Sequence, residues 1–295
     1  MEPKKLVTHD GSFHSDDIFS CATISLILEL SSTPFTVTRT RDEELVKTAD
    51  YVFDVGGVYN ADMNRFDHHQ KGGAGKHANG IEYASFGLVW EKFGTQLTGG
   101  EKTKEVVEQR LVSPIDAGDN GINLIQNLTE VSPYFLHNVF GALSPSWKEA
   151  GKENEAFFVC VEIAKNILRG EIKHAADGLE ASEKVLAIYN NTNDKRVIVL
   201  DDSYPYEFTL KDFIEPMYVV LPRKDSTWSV RAVRENPATF SNKKNLPETW
   251  GGLKDEELQN VSGVVDAIFC HRALFLAVAK SKEGAIKLAQ IALQS

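Results

Sequence analysis

Four short polar stretches constrain what this chain can fold into more than any other feature. They are His9-Asp10-Gly11-Ser12-Phe13-His14-Ser15-Asp16-Asp17, Phe53-Asp54-Val55-Gly56-Gly57, Phe66-Asp67-His68-His69-Gln70 and Ile115-Asp116-Ala117-Gly118-Asp119-Asn120-Gly121. Each sits beside a glycine or a short polar turn, which is how a strand end presents ligands. Aspartate and histidine are the side chains that bind divalent cations of the manganese or magnesium type. A fold that serves all four stretches must bring several strand ends to one edge.

The apolar pattern supplies such a fold. Residues 6–8 read as a strand, residues 18–30 as a buried helix opened by Asp16 and Asp17, and residues 35–39 as a second strand. Acidic residues at that helix start suit its dipole. A short helix over 42–48 and a strand over 51–55, stopped by Gly56-Gly57, complete an alternation that requires crossovers and a parallel sheet. Ligands in such α/β sheets gather beyond the carboxyl ends of the strands, where His9 and Asp54 fall. Further helices are expected over 85–93 and 103–112. A strongly helical stretch over 155–191 has a break near Arg169-Gly170.

The texture changes after Asn193. Residues 196–200, 217–221 and 227–233 are β-rich, 255–259 is helical, 267–279 holds one or two strands, and 282–293 is a closing helix. The expected division is a first domain over 1–193, including a helical connector, and a second α/β domain over 194–295. The length of 295 residues suits two domains.

Composition narrows the function classes. The formal net charge of −10 is wrong for a sequence-independent duplex binder, which needs a basic face. Metal ligands account for part of the acidity, since bound ions cancel it locally. Cys21, Cys160 and Cys270 are odd in number and far apart, which argues against a disulfide framework or a structural zinc site and fits a reducing compartment. No apolar run approaches the ~18 residues of a membrane span, and no leader pattern precedes the first strand. The expectation is a soluble cytoplasmic protein without a membrane partner; the sequence leaves homo-oligomerisation open.

Two divalent cations about 3.5–4 Å apart can activate water and steady both oxygens of an in-line displacement at phosphorus. Such a pair needs a bridging carboxylate, further carboxylates, and imidazoles held by hydrogen-bond partners. Asp54, alone on its strand end, is the natural bridge. His9, His14 and Asp16 come from one loop, and His68 and Asp116 supply the remaining corners. Asp67 suits the role of holding an imidazole, and His69 is free to face a substrate and move a proton. Asp119-Asn120-Gly121 reads as a turn that positions Asp116, and His77, His137 and His174 as surface or core histidines. The loop Lys71-Gly72-Gly73-Ala74-Gly75-Lys76 lacks P-loop spacing and reads as a lid.

The order of these stretches resembles the DHH phosphoesterase superfamily. Within it the chain is similar to the melanocyte-proliferating-gene group, long labelled metal-dependent protein hydrolases and linked to a 3′-to-5′ RNA exonuclease. The resemblance covers nearly the whole chain. It rests on residues 8–16, Asp54-Val55-Gly56-Gly57, Asp67-His68-His69-Gln70, Ser85-Phe86-Gly87-Leu88 and residues 116–121. In the second domain it rests on residues 250–258, Val261-Ser262-Gly263 and Ala267-Ile268-Phe269-Cys270-His271. His14 stands where most of the superfamily has an aspartate. The resemblance implies one metal on His9, His14 and Asp54 and another on Asp16, Asp54, His68 and Asp116. Manganese is the expected ion and magnesium the alternative, with His69 on the substrate side. It implies a DHH-type parallel-sheet domain followed by a smaller α/β domain, with the active site in the interdomain cleft. After His271 the group has a glycine-rich segment, whereas this chain has Arg272-Ala273-Leu274-Phe275.

Substrate cations are sought at Arg39, Arg41 and Lys71, and in the second domain at Arg231, Arg234, Lys243, Lys244 and Arg272. His271 belongs to the group motif, and Trp250 is a candidate for base stacking. The leading expectation is a metal-dependent phosphodiester hydrolase acting as a 3′-to-5′ exonuclease on single-stranded RNA or short oligonucleotides. A small-molecule phosphoesterase or pyrophosphatase uses the same site, and a metal-binding regulator without turnover is the reading from another class.

Overall fold

The structure, a computed structural model, describes residues 2–236 and 241–295. The chain divides into two compact units, one up to Ala176 and one over Asp177–Ser295.

The first unit is built on a sheet of β1 (Lys4–Thr8), β2 (Phe35–Arg39), β3 (Tyr51–Phe53), β4 (Tyr59–Asn60) and β5 (Arg65–Phe66), in the order β2-β1-β3-β5-β4. β1, β2, β3 and β5 run parallel, and only β4 is antiparallel, on β5. The chain crosses from β1 to β2 through α1 (Ser15–Leu30), and from β2 to β3 through α2 (Glu43–Thr48). Side chains alternate across β1 with a period of two. Leu6 joins the core that contains Phe19, Phe53, Phe66, Phe86 and Trp90, while Val7 packs with Val46, Val52 and Val55 on the opposite face. α1 is buried from Asp16 to Leu28 and lies against α3 (Ser85–Thr98), with Phe19 and Phe86 stacked at 5.1 Å.

The parallel order sets the position of the site. β1, β3 and β5 are neighbours, so the residues that follow them, His9, Asp54 and Asp67, leave from one edge. A second helical run faces that edge. α4 (Glu101–Val107) passes through a π turn over Glu108–Val112 into α5 (Ser113–Asp119). A short helix, α6 (Leu136–Leu143), buries Phe140 against Phe19.

The sequence places a break near Arg169-Gly170, and the structure corrects it: α7 runs unbroken over Glu153–Asn191. Leu168, Ile172 and Ala175 keep one face of the helix on the core across Gly170, and a single glycine costs only about 1 kcal/mol in a helix. The helix also explains where the units divide. Its early turns pack with the first unit, while Val185 and Tyr189 pack with the second. The division therefore falls inside α7 and not near residue 193.

The second unit holds β6 (Val197–Val199), α8 (Glu207–Leu210), β7 (Tyr218–Pro222), β8 (Trp228–Ala232), α9 (Asp255–Ser262), β9 (Ala267–Cys270), β10 (Leu276–Ala279) and α10 (Lys282–Gln294). Its sheet has the order β6-β7-β8-β10-β9; β6 and β7 are parallel and the remaining pairs antiparallel. α9 and α10 cover one face, and Val185, Tyr189, Tyr206 and Leu210 pack on the other. Residues 267–279 form two strands joined by a tight turn. Leu274 adopts the left-handed region there, at φ 59°, the conformation a glycine takes at no steric cost. Among the described residues, no helix is long and apolar enough to cross a membrane.

Candidate metal centre

At the edge where β1, β3 and β5 end, imidazoles and carboxylates from four segments meet. His9 Nδ1 donates to the Asp10 carbonyl at 2.9 Å, which turns Nε2 toward Asp17 Oδ2 at 3.2 Å and Asp54 Oδ2 at 3.1 Å. His68 Nε2 lies 3.5 Å from Asp54 Oδ1, 3.3 Å from Asp119 Oδ2 and 3.9 Å from Asp16 Oδ2. Three overlapping groups of ligand atoms each fall within coordinating reach: His9, His14 and Asp54; Asp54, His68 and His69; His14, Asp16 and Asp119. Asp54 belongs to two of them.

The local chain explains these placements. Asp54 follows β3 in the left-handed region at φ 53°, a conformation that Asp tolerates better than most residues. Its backbone N–H donates to the Phe66 carbonyl at 3.1 Å, and its side chain accepts from Ser85 Oγ at 3.3 Å. Asp16 and Asp17 occupy the first turn of α1, and the His14 N–H donates to Asp17 Oδ1 at 3.0 Å. Asp67 accepts from the Gly57 N–H at 2.6 Å, the His69 N–H at 3.0 Å and His69 Nδ1 at 2.7 Å. With Nδ1 committed to that carboxylate, Nε2 of the His69 ring is the nitrogen left to meet a substrate. The His69 side chain is 63% exposed.

The electrostatics call for a cation. Burial, and then the neighbouring Asp54, Asp119 and Asp17 carboxylates, push Asp16 far above the usual carboxylate range. Burial also raises Asp17, against the pull of His9. Burial works against ionisation of Asp54 as well, yet the His68 and His9 imidazoles beside it hold it below its ordinary value. Burial disfavours the charged form of His9, but Asp17 and Asp54 outweigh it and raise the imidazole to about 10. Both oxygens of Asp16, Asp17 Oδ2 and His68 Nε2 are buried without a hydrogen-bond partner. Unpaired buried polar atoms cost free energy. A divalent ion would satisfy these atoms and cancel the repulsion among the carboxylates, so the donor set fits manganese or magnesium.

The structure thus gathers His9, His14, Asp16, Asp54 and His68, but it corrects Asp116. That residue is fully buried and turned away, with Oδ1 accepting from the Gly87 N–H at 3.1 Å and Oδ2 from His77 Nε2 at 2.8 Å. Asp119, three residues on, takes the expected place. The sequence reading missed it because Asp-Asn-Gly reads as a turn, whereas α5 continues to Asp119. Helical spacing was the available signal, since residues three apart share a face. Asp17 was read only as a helix-start charge, and His77 only as a core or surface histidine.

The basic residues separate. Arg41 lines a groove of about 560 Å³ with His9, His14, Asp54, Asp67 and His69, and lies 3.4 Å from Asp10. Arg39 is corrected as a substrate contact: it is buried, donates to the Gly11 carbonyl at 2.7 Å and to Asn154 at 3.1 Å, and lies over the Phe157 ring. It braces the His9–His14 loop from behind. In the second unit Arg231 lines a cavity of about 60 Å³ with Tyr206, Arg234 and Phe275. His271 packs on Phe275 and its Nδ1 accepts from the Ala273 N–H, while Arg272 is exposed. Lys243 and Lys244 donate to the carbonyls of Phe213 and Leu293. Trp250 is 2% exposed, so it is a core residue and not a stacking platform.

An α/β sheet whose parallel strand ends hold a carboxylate–imidazole cluster fit for divalent cations defines a candidate metal-dependent hydrolase. The MYG1_exonuc family model, described as an uncharacterised protein family (UPF0160), matches residues 5–293, and the chain belongs to this family. Relatives named MYG1 exonuclease are 29% identical in Rattus norvegicus, over 99% of this chain and 85% of the relative, and 29% identical in Homo sapiens, over 99% and 86%. The MYG1 protein of Dictyostelium discoideum is 26% identical over 98% of this chain and 96% of its own. Membership places the chain among the hydrolases. A crystal structure of the exonuclease RecJ bound to manganese, at 12% identity and covering 99% of this chain and 90% of its own, has a TM-score of 0.28, too low to align the two folds residue by residue.

Proposed function

We propose that this protein hydrolyses phosphodiester bonds with two divalent cations, manganese first, held by His9, His14, Asp16, Asp54, His68 and Asp119, and that it removes nucleotides from the 3′ end of single-stranded RNA or short oligonucleotides. The convergence of three overlapping ligand groups, two sharing Asp54 and two sharing His14, carries the reading. The exonuclease names of the rat and human relatives support the nucleic-acid substrate. Bound ions would supply the Lewis acidity that phosphodiester hydrolysis needs. His69, oriented by Asp67, stands where an imidazole can donate a proton to a departing oxygen. Arg41 is the cation of the groove available to a phosphate.

Purified protein incubated with Mn2+ and 5′-end-labelled single-stranded RNA should give a ladder shortened one nucleotide at a time. Intact labelled RNA, with metal demonstrably bound, would overturn the reading. One observation favours a smaller substrate: Arg41 is the only lysine or arginine lining the groove among the described residues, which suits a short or mononucleotide phosphoester better than a long strand. Phosphate release from a panel of small phosphoesters, compared with turnover of the labelled RNA, separates the two.

A further inference from the structure

Asp116 and His77 form a buried bridge behind the metal centre. The two nitrogens of His77 serve two carboxylates: Nε2 lies 2.8 Å from Asp116 Oδ2 and Nδ1 lies 3.0 Å from Glu108 Oε1. Both carboxylates accept, so the ring donates at each end. The other Asp116 oxygen accepts from the Gly87 N–H, and any side chain at Gly87 would strike the carboxylate, so α3 leaves a slot shaped for it.

The bridge is the buried, charged tie between the loop that follows His68 and α5, flanked by Asn79 Nδ2 donating to Ser113 Oγ at 2.7 Å and Asn120 Nδ2 donating to the Glu82 carbonyl at 3.0 Å. His77 closes the loop that begins at His68 and His69. Its N–H donates to the Ile81 carbonyl at 2.8 Å, and its carbonyl accepts from the Gly80 N–H at 2.9 Å. Asp116 lies on α5 one turn before Asp119, whose carboxylate is 3.3 Å from His68. The path from His68 to Asp119, along α5 to Asp116, across to His77 and back along the loop is therefore a closed ring.

The π turn over Glu108–Val112 makes this ring closable. Glu108 and Asp116 are eight residues apart, which on a regular helix of about 3.6 residues per turn leaves them roughly 80° out of phase. A π turn absorbs one extra residue. The separation then behaves as about seven residues, close to two full turns, and both carboxylates face His77.

We infer that His77 is a positioning residue for the metal centre: by tying Asp116 and Glu108 together it fixes α5 against the His68–His69 loop, and so sets where Asp119 presents its carboxylate. This inference rests on the reading of the cluster as the metal centre.

The test is calorimetric titration of Mn2+ into wild type, His77→Gln and His77→Arg, with far-ultraviolet circular dichroism as the check on folding. His77→Gln should bind Mn2+ more weakly, near the lower end of the about 10- to 100-fold lost when a direct partner of a ligand is removed, because His77 acts one step further out, through Asp116. His77→Arg, which can again donate to two carboxylates, should recover most of that loss, a result that a merely structural role does not produce. In turnover assays kcat should fall for His77→Gln with KM nearly unchanged. Equal Mn2+ affinity in wild type and a folded His77→Gln would overturn the inference and leave the metal reading standing. Absence of Mn2+ binding in wild type would remove both. Should His77→Gln fail to fold, Glu108→Ala, which removes only the outer acceptor, carries the same comparison: weakened Mn2+ binding supports the inference and unchanged binding overturns it.

Discussion

At the scale of single residues, Asp54 carries the most. It belongs to two of the three ligand groups and sits in a left-handed conformation that asparagine also tolerates, so Asp54→Asn tests the carboxylate without disturbing the turn. We expect Mn2+ affinity to fall by at least about 100-fold, beyond the loss typical of partners behind a ligand; titration that still finds two bound equivalents would refute the bridging role. His69→Ala should behave differently, leaving Mn2+ binding within a few-fold while lowering kcat by about 10²–10⁴, the range of a lost acid–base group. His77 gives a pH signature. Burial pulls its pKa down, but Asp116 and Glu108 outweigh burial and raise it to about 9, while burial lifts Asp116 to about 6. A histidine raised on folding contributes stability that is whole below its unfolded value of about 6.5 and lost as pH climbs through about 9. Thermal melts should therefore show Tm falling between pH 7 and 9.5, and a folded His77→Gln should flatten that slope.

At the scale of elements, the sequence patterns account for the first sheet better than for the helices. Strands over 6–8, 35–39 and 51–55 are legible because each is apolar or alternating and each ends at glycine or a polar turn. The continuity of α7 was not legible. Gly170 looks like a stop in isolation, and only packing on both sides of it shows that the helix continues. A Cβ added there meets nothing within 4 Å, so Gly170→Ala should raise the unfolding free energy by about 0.5–1 kcal/mol in urea titrations; a destabilised variant would mean that the helix is interrupted at this point. The π turn before α5 was equally hidden, because the helical turns on either side of it are too short for a one-residue phase shift to stand out in the apolar pattern.

At the scale of the molecule, the cluster concentrates negative charge in a chain already at −10. Four aspartates, Asp16, Asp17, Asp54 and Asp119, stand in or beside it, and Asp16 is fully buried. Their repulsion opposes folding, and a bound cation relieves it. Mn2+ should therefore raise Tm and a chelator should lower it. The stabilisation should grow logarithmically with ion concentration and reach about 2.7 kcal/mol at a hundredfold excess over Kd. A Tm indifferent to Mn2+ in calorimetric scans would contradict the cluster as a metal centre.

The sequence by itself determined the class of fold, the strand ends that carry His9, Asp54, Asp67 and His68, and the chemistry of their side chains, because period, glycine placement and residue type are local properties. Only the tertiary structure decided that Asp119 and not Asp116 faces the cluster, that Arg39 braces a loop from within, and that His77 bridges two carboxylates. Those outcomes depend on the phase of one helix against a sheet, and that phase is set by contacts between residues far apart in the chain.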